Sequence, residues 1–248
     1  MPRPLTLDPD RLFPADPTAR SLARDLYEGV KDLPIVSPHG HTDPAWFATN
    51  EPWANATELL LAPDHYLFRM LYSQGIALER LGVPSRGGPS SADPREAWRL
   101  LAENYHLFRG TPSRMWLDHV FAEVFGLDVA LDGETADLYF DRIGEALATP
   151  AFRPRELFER FGIELLATTE GPQDDLAHHA AIRASGWPGR VVTTYRPDPV
   201  IDPEHEDFRT ALARFGELTG EDVESWPRYL AAHRRRRAAF RAAGATAT

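Results

Sequence analysis

The chain has 248 residues, 43% of them hydrophobic and 26% charged, enough apolar content to build a sizeable core. Its formal net charge of -10, from 37 acidic and 27 basic residues, excludes a nucleic-acid backbone as the main partner but leaves room for a small anion held by a few local arginines. There is no cysteine, which excludes disulfides and thiolate metal sites, so any metal must be held by histidine and carboxylate.

The opening MPRPLTLDPDRLFPAD lacks the charged-then-apolar layout of a signal peptide, and no run approaches the ~18 apolar residues of a membrane span, which together predict a cytoplasmic protein. Ala19, Leu22, Ala23, Leu26, Tyr27 and Val30 recur at three-and-four spacing and predict a helix ending before Pro34, its apolar stripe facing a core. Pro34–Ser37, short, apolar and closed by Pro38, reads as a buried strand whose C-terminal end delivers His39 and His41. From about Trp46 the pattern turns helical, over 56–61, 65–81, 93–108, 114–125, 135–147 and 154–161, separated by proline and glycine. The Arg86–Ser91 patch predicts a flexible loop.

After Gly162, Ile163–Thr169 reads as a strand broken by Gly171-Pro172, with a helix over 174–185. Gly189–Tyr195 is β-branched and predicts a second strand, followed by helices over 207–218 and 222–243. Gly244 caps the last helix, and Ala245–Thr248 reads as the beginning of a further strand. Strand, loop and helix in alternation is the pattern of a parallel α/β unit. In such folds the binding groups lie on loops at the C-terminal strand ends, and three apolar runs here end in polar clusters: SPHGH, TTEGPQDD and TTYRPDP. If the strands are neighbours, those clusters converge.

On extended backbone, residues i and i+2 share a face, so His39 and His41 can aim both imidazoles at one point while Gly40 permits close approach. That arrangement offers two ligands to a divalent metal, and neutral imidazoles suit zinc. The competing reading is two polar residues in a proline-flanked turn.

The segments LPIVSPHGHTDP, APDHYLFRMLYSQGI, WLDHVFAEVFGL, LLATTEGPQDDLAHH and VVTTYRPDP, in that order, resemble uronate isomerase, also called glucuronate isomerase, of the amidohydrolase superfamily. The resemblance runs from about residue 19 to the C-terminus. It implies an α/β fold: the N-terminal part of a TIM-like (β/α)8 barrel with a large helical insertion after the first strand. The implied organisation is one composite domain, with residues 1–45 as N-terminal helix and first barrel strand, 46–161 as the insertion and 162–248 as further β/α units. The implied reaction is aldose–ketose isomerisation of hexuronates, D-glucuronate to D-fructuronate and D-galacturonate to D-tagaturonate. The implied metal ligands are His39 and His41, the metal a divalent ion such as zinc. His65 and Tyr66 match a catalytic His-Tyr pair, and Arg196, with Asp198 beside it, matches a strand-end motif lining the substrate pocket, where a guanidinium can hold the uronate carboxylate.

Read without the family, Asp64 caps a helix and Tyr66 packs, Arg69 lies on the surface, and Arg196 pairs with Asp198. His178 and His179 point about 100° apart on a helix, one buried and one wet. Glu170, Asp174 and Asp175 are candidate bases, although Asp174 also suits a helix cap, and Arg234–Arg237 reads as a solvated face compensating a helix dipole. Isomerisation can proceed by proton transfer between C2 and C1 or by hydride transfer. Only three clear strands are countable, so the chain is expected to cover the N-terminal half of the family. A metal site short of its later ligands and an open apolar sheet edge then predict low activity alone and a homo-oligomer. The alternative functions are a metal-dependent hydrolase of the same superfamily and a non-catalytic helical module. Hydrolases of the group usually add a lysine or more histidines from later strands, and the only lysine, Lys31, precedes the first strand.

Overall fold

A computed structural model describes residues 2–84 and 92–248, so the Arg86–Ser91 patch lies outside the described residues. In chain order the regular elements are α1 (Pro17–Glu28), β1 (Ile35–Ser37), α2 (Pro44–Thr49), α3 (His65–Ser73), α4 (Pro94–Glu103), α5 (Pro112–His119), α6 (Ala136–Leu147), α7 (Pro154–Arg160), β2 (Ile163–Glu170), α8 (Ala177–Ala184), β3 (Arg190–Tyr195), α9 (Asp198–Ile201), α10 (Phe208–Thr219) and α11 (Trp226–Ala242). They sort into two compact units interleaved along the chain: Met1–Asp32 with Pro52–Arg153, and Leu33–Glu51 with Pro154–Thr248.

The first unit is helical. Its core gathers Trp98 and Leu101 of α4, Leu117 of α5, Tyr139 and Ile143 of α6, and the rings of Tyr105, Phe108 and Phe121 from the turns between them. Buried phenols need partners, and both find them: Tyr105 donates to Asp118 at 2.8 Å and Tyr139 to the Val129 carbonyl at 2.5 Å. The helix expected over 65–81 is shorter, because the chain turns at Gly75 (φ +87°), and Leu78–Leu81 forms a separate 3-10 turn.

Helix α1 starts where its sequence says, with Pro17 in the first turn and the Asp16 carboxylate accepting from the Ala19 amide at 2.8 Å. Its apolar stripe does not face a core. Leu22 and Leu26 are 60% and 75% exposed, and no residue of the helix is buried. Periodicity identifies a face that can be buried, whereas burial needs a covering element. Around α1, residues of the preceding turn make contact, Phe13 edge-on to Tyr27 and Asp10 bonded to Arg24.

The second unit holds a three-stranded parallel sheet in the order β1-β2-β3. Register pairs Ile35 with Ile163 and Ser37 with Leu166, then Leu165 with Arg190 through to Glu170 with Tyr195. Phe47 of α2, Phe158 of α7, Ile182 of α8, Leu166 of β2 and Val191 of β3 form one core, with Trp187 stacked on Phe47. Val200, Phe215 and Ala232 form another around α9 to α11. β2 carries a buried run, Leu166 to Thr168, as a strand flanked on both sides should. β1, expected to be buried, is not: Ile35 and Val36 are 49% and 56% exposed, since β1 is an edge strand paired only with β2.

The chain leaves this unit after α2, whose C-cap Asn50 adopts a left-handed conformation (φ +54°), and returns at Arg155. Exit and return are tied together: the Arg155 amide donates to the Asn50 side chain at 3.0 Å and its guanidinium to the Phe47 carbonyl at 2.9 Å. At the far end Gly244 (φ +103°) terminates α11, with the Ala245 amide bonded to Phe240. Residues 245–248 run on without forming a strand, although Tyr195 donates its amide to the Ala247 carbonyl at 3.2 Å. Among the described residues no helix is long and apolar enough to cross a membrane.

Candidate functional site

Because β1, β2 and β3 are parallel neighbours, their three polar C-terminal ends lie side by side. Two hydrogen bonds sew them together. Thr169 at the end of β2 donates its hydroxyl to the Gly40 carbonyl at 2.7 Å, and the Arg196 amide beyond β3 donates to the Glu170 carbonyl at 2.9 Å. Gly40 suits this close approach: a Cβ there would lie 3.3 Å from the Ala167 carbonyl oxygen, tighter than ordinary contact.

His39 and His41 flank that glycine on the exposed loop after β1. Their Nε2 atoms stand 3.3 Å apart, with the rings edge-to-face at 5.1 Å. Two nitrogens bound about 2.0–2.1 Å from one tetrahedral zinc are separated by about 3.3 Å, so the pair fits as two ligands of such an ion. The fit stops at two, because among the described residues no group of three or more histidines and carboxylates is placed to hold a metal.

Beside the pair opens a cleft of about 500 Å³ lined by His41, Asp43, Thr169, Glu170, Gln173, Asp174 and His178, among others. Several of its polar groups are committed to local structure. Asp43 caps α2 through the Ala45 amide at 2.8 Å, and Asp174 and Asp175 accept from the Leu176 and Ala177 amides at 2.6 and 2.9 Å. Gln173 Oε1 is buried with no hydrogen-bond partner, a polar atom left open in the wall.

Glu170 is the group that sequence reading placed only among candidate bases and that the fold sets apart. Its side chain is buried at the end of β2, accepts from the Thr193 hydroxyl and lies 3.7 Å from Nε2 of buried His179. His179 in turn meets the Thr168 hydroxyl at 2.9 Å. Burial raises the Glu170 carboxyl above its ordinary value, with Asp174 and Asp43 adding to the shift and the threonine hydroxyls opposing it, and burial lowers His179. Both groups are thereby biased to their neutral forms. The signal for the network in the sequence was the adjacent His178-His179 pair, of which one is buried and one exposed, as helical geometry requires.

Arg236 was not foreseen. The run Arg234–Arg237 reads as a solvated face, yet Arg236 is buried and donates to the carbonyls of Pro172 at 3.0 Å and Asp174 at 2.5 Å, pinning the loop that lines the cleft. Four consecutive arginines on a helix must point in four directions, and one of them points inward. Its three neighbours remain exposed.

Arg196 and Asp198 lie exposed at the end of β3 and pair with each other, Nε to Oδ2 at 2.8 Å, an ion pair that holds the Asp198 carboxyl below its ordinary value. His65 and Tyr66 belong to the helical unit, at the head of α3. Asp64 caps that helix, accepting from the Tyr66 and Leu67 amides at 2.8 and 3.2 Å. Tyr66 does not pack into a core. It is 68% exposed, with its ring 4.2 Å from that of His65, so both side chains are free to meet a ligand.

A family model described as glucuronate isomerase matches residues 17–248. The chain is 74% identical over 248 residues to a uronate isomerase of Phenylobacterium zucineum, covering all of this chain and 52% of that protein, and 67% identical to one of Sphingopyxis alaskensis, covering 53% of it. Among solved structures it superposes on the crystal structure of glucuronate isomerase from Caulobacter crescentus with a TM-score of 0.96 and 64% identity, over 98% of this chain and 51% of that one. For a uronate isomerase from Thermotoga maritima the TM-score is 0.83 at 28% identity, over 97% and 50%. The chain spans about half the length of the curated relatives it matches.

Proposed function

The chain belongs to the glucuronate isomerase family, and from that premise we propose that it carries part or all of an aldose–ketose isomerase site for hexuronates, built on the ends of the three parallel strands. The observation that carries this reading is the convergence of the His39 and His41 Nε2 atoms to 3.3 Å beside the cleft at the end of β2.

The isomerisation of D-glucuronate to D-fructuronate, or of D-galacturonate to D-tagaturonate, moves a hydrogen between C2 and C1. It needs a base at carbon, a proton donor at the carbonyl oxygen and stabilisation of the charge that develops on oxygen. In the proposed site His39 and His41 hold a divalent ion, zinc being suited to two neutral imidazoles, and such an ion when bound polarises substrate oxygens. Arg196 exchanges its exposed partner Asp198 for the uronate carboxylate, a trade of one charge-assisted pair for another that costs little at the surface. His65 and Tyr66, exposed and ring to ring, take the proton-handling role. Glu170, whose burial favours the protonated form, lies beside the cleft. The open edge of β1 further supports reading the protein as self-associating.

The test is an isomerase assay on D-glucuronate and D-galacturonate with added zinc, comparing the 248-residue chain with a His39→Ala/His41→Ala variant. Ketouronate formation that vanishes in the variant supports the assignment; turnover that survives it removes the histidine pair from the reaction. A folded chain that binds zinc and turns over neither sugar leaves this chain without the proposed activity.

A further inference from the structure

A cleft of about 770 Å³ in the helical unit is lined by Arg3, Arg11, Arg109 and Arg114, together with Asp8 and Asp118. It shares no lining residue with the cleft beside the histidine pair.

Its charges do not balance. Arg114 and Asp118 neutralise each other: Nε lies 3.3 Å from Oδ2, the guanidinium stacks 4.5 Å over Tyr105, and Tyr105 donates to the other carboxylate oxygen. Among the described residues Arg3, Arg11 and Arg109 have no carboxylate within ion-pair distance. Asp8 alone opposes them, with one of its oxygens already accepting the Asp10 amide at 2.8 Å. The wall therefore carries two positive charges in excess, inside a chain whose net charge is -10.

The Arg11 guanidinium is held in place, and the backbone that carries Arg3 is fixed. Arg3 sits on a segment paired with 128–130, where the Arg3 carbonyl accepts from Ala130 at 2.7 Å and the Leu5 amide donates to Asp128 at 2.8 Å. Arg11 is clamped between the Asp8 carbonyl at 3.0 Å and His119 Nδ1 at 3.2 Å. Among the described residues Arg109 makes no side-chain hydrogen bond or ion pair, and it is followed by Gly110 (φ +77°), beside which the space is open. Holding Arg11 before a ligand arrives lowers the entropy cost of binding through it. A volume of this size lies in the ordinary range for small-molecule sites, roughly 300–1,000 Å³.

We propose that this cleft binds a small dianion of phosphate or dicarboxylate chemistry, held by Arg3, Arg11 and Arg109. Planar guanidinium groups match both oxyanion types through paired N–H donors, and two excess charges match two negative charges.

The experiment is calorimetric titration of the 248-residue chain with inorganic phosphate at pH 8, and separately with succinate, at matched ionic strength and without metal or uronate, so its outcome is independent of the isomerase reading. Saturable binding of either, weakened about tenfold or more in Arg109→Gln and unchanged in Arg142→Gln, supports the site, and the probe that binds identifies the chemistry. Arg3→Gln is the second variant, in case Arg109→Gln fails to fold by circular dichroism. Absence of saturable binding by both probes, or binding that the cleft variants leave unchanged, overturns the proposal.

Discussion

At the scale of single residues the candidate site is governed by which polar groups are wet and which are not. His39 and His41 are exposed and aimed at each other, so His39→Ala is expected to abolish stoichiometric zinc uptake in calorimetry while leaving the thermal midpoint within about 2 °C, since a surface substitution away from the core changes stability little. Glu170 is the opposite case. Burial raises its carboxyl above the ordinary 4.5, so the fold favours the protonated form. That contribution is fully present below pH 4.5 and is lost as pH rises through the raised value. Glu170→Gln, which cannot ionise, is therefore expected to gain on the parent chain in thermal midpoint as pH climbs from 4.5 toward 8, measured in chelator. Parallel midpoint curves would remove the buried charge from the account. The histidine pair was legible in the sequence because spacing of two on extended backbone has one geometric meaning. Glu170 was less so: Glu170, Asp174 and Asp175 look alike as letters, and only the fold buries the first while using the others as loop caps.

At the scale of elements, the strand and helix assignments followed from composition, but what each face meets did not. β2 was readable as an apolar run broken by Gly171-Pro172, and β3 as a β-branched run bounded by glycine and proline. The apolar faces of α1 and β1 were equally readable, yet both are exposed, because a pattern states what an element can bury and says nothing of whether a neighbour is there. Arg236 shows the reverse failure, a charged run on α11 concealing an inward anchor. Removing that anchor takes a donor from the buried Pro172 carbonyl and the part-buried Asp174 carbonyl. Arg236→Met is expected to cost about 2–3 kcal/mol in denaturant unfolding and to speed amide exchange at residues 171–176. Unchanged exchange there would mean the loop holds its shape without α11.

At the scale of the whole molecule, the acidic chain carries apolar surface at the sheet edge, with Ile35 and Val36 half exposed on β1. Exposed edge strands of this kind pair with further chain. Sedimentation of the parent is expected to show concentration-dependent association, and Val36→Lys is expected to weaken it by placing a charge on the edge. A parent that sediments as a monomer at all concentrations would show that the edge is protected in solution.

The interleaving of the two units sets a timetable for assembly. Ile35 and its register partner Ile163 are 128 residues apart. At synthesis rates of about 5–20 residues per second, β1 leaves the ribosome roughly 6 to 25 seconds before the strand it pairs with. Most of the intervening chain belongs to the helical unit, whose contacts are local and form on far shorter timescales. Its exit and return are tied at Asn50 and Arg155. The long excursion thus behaves in time as a finished insert, and the sheet that bears the histidine pair begins to close only when the chain comes back to where it left.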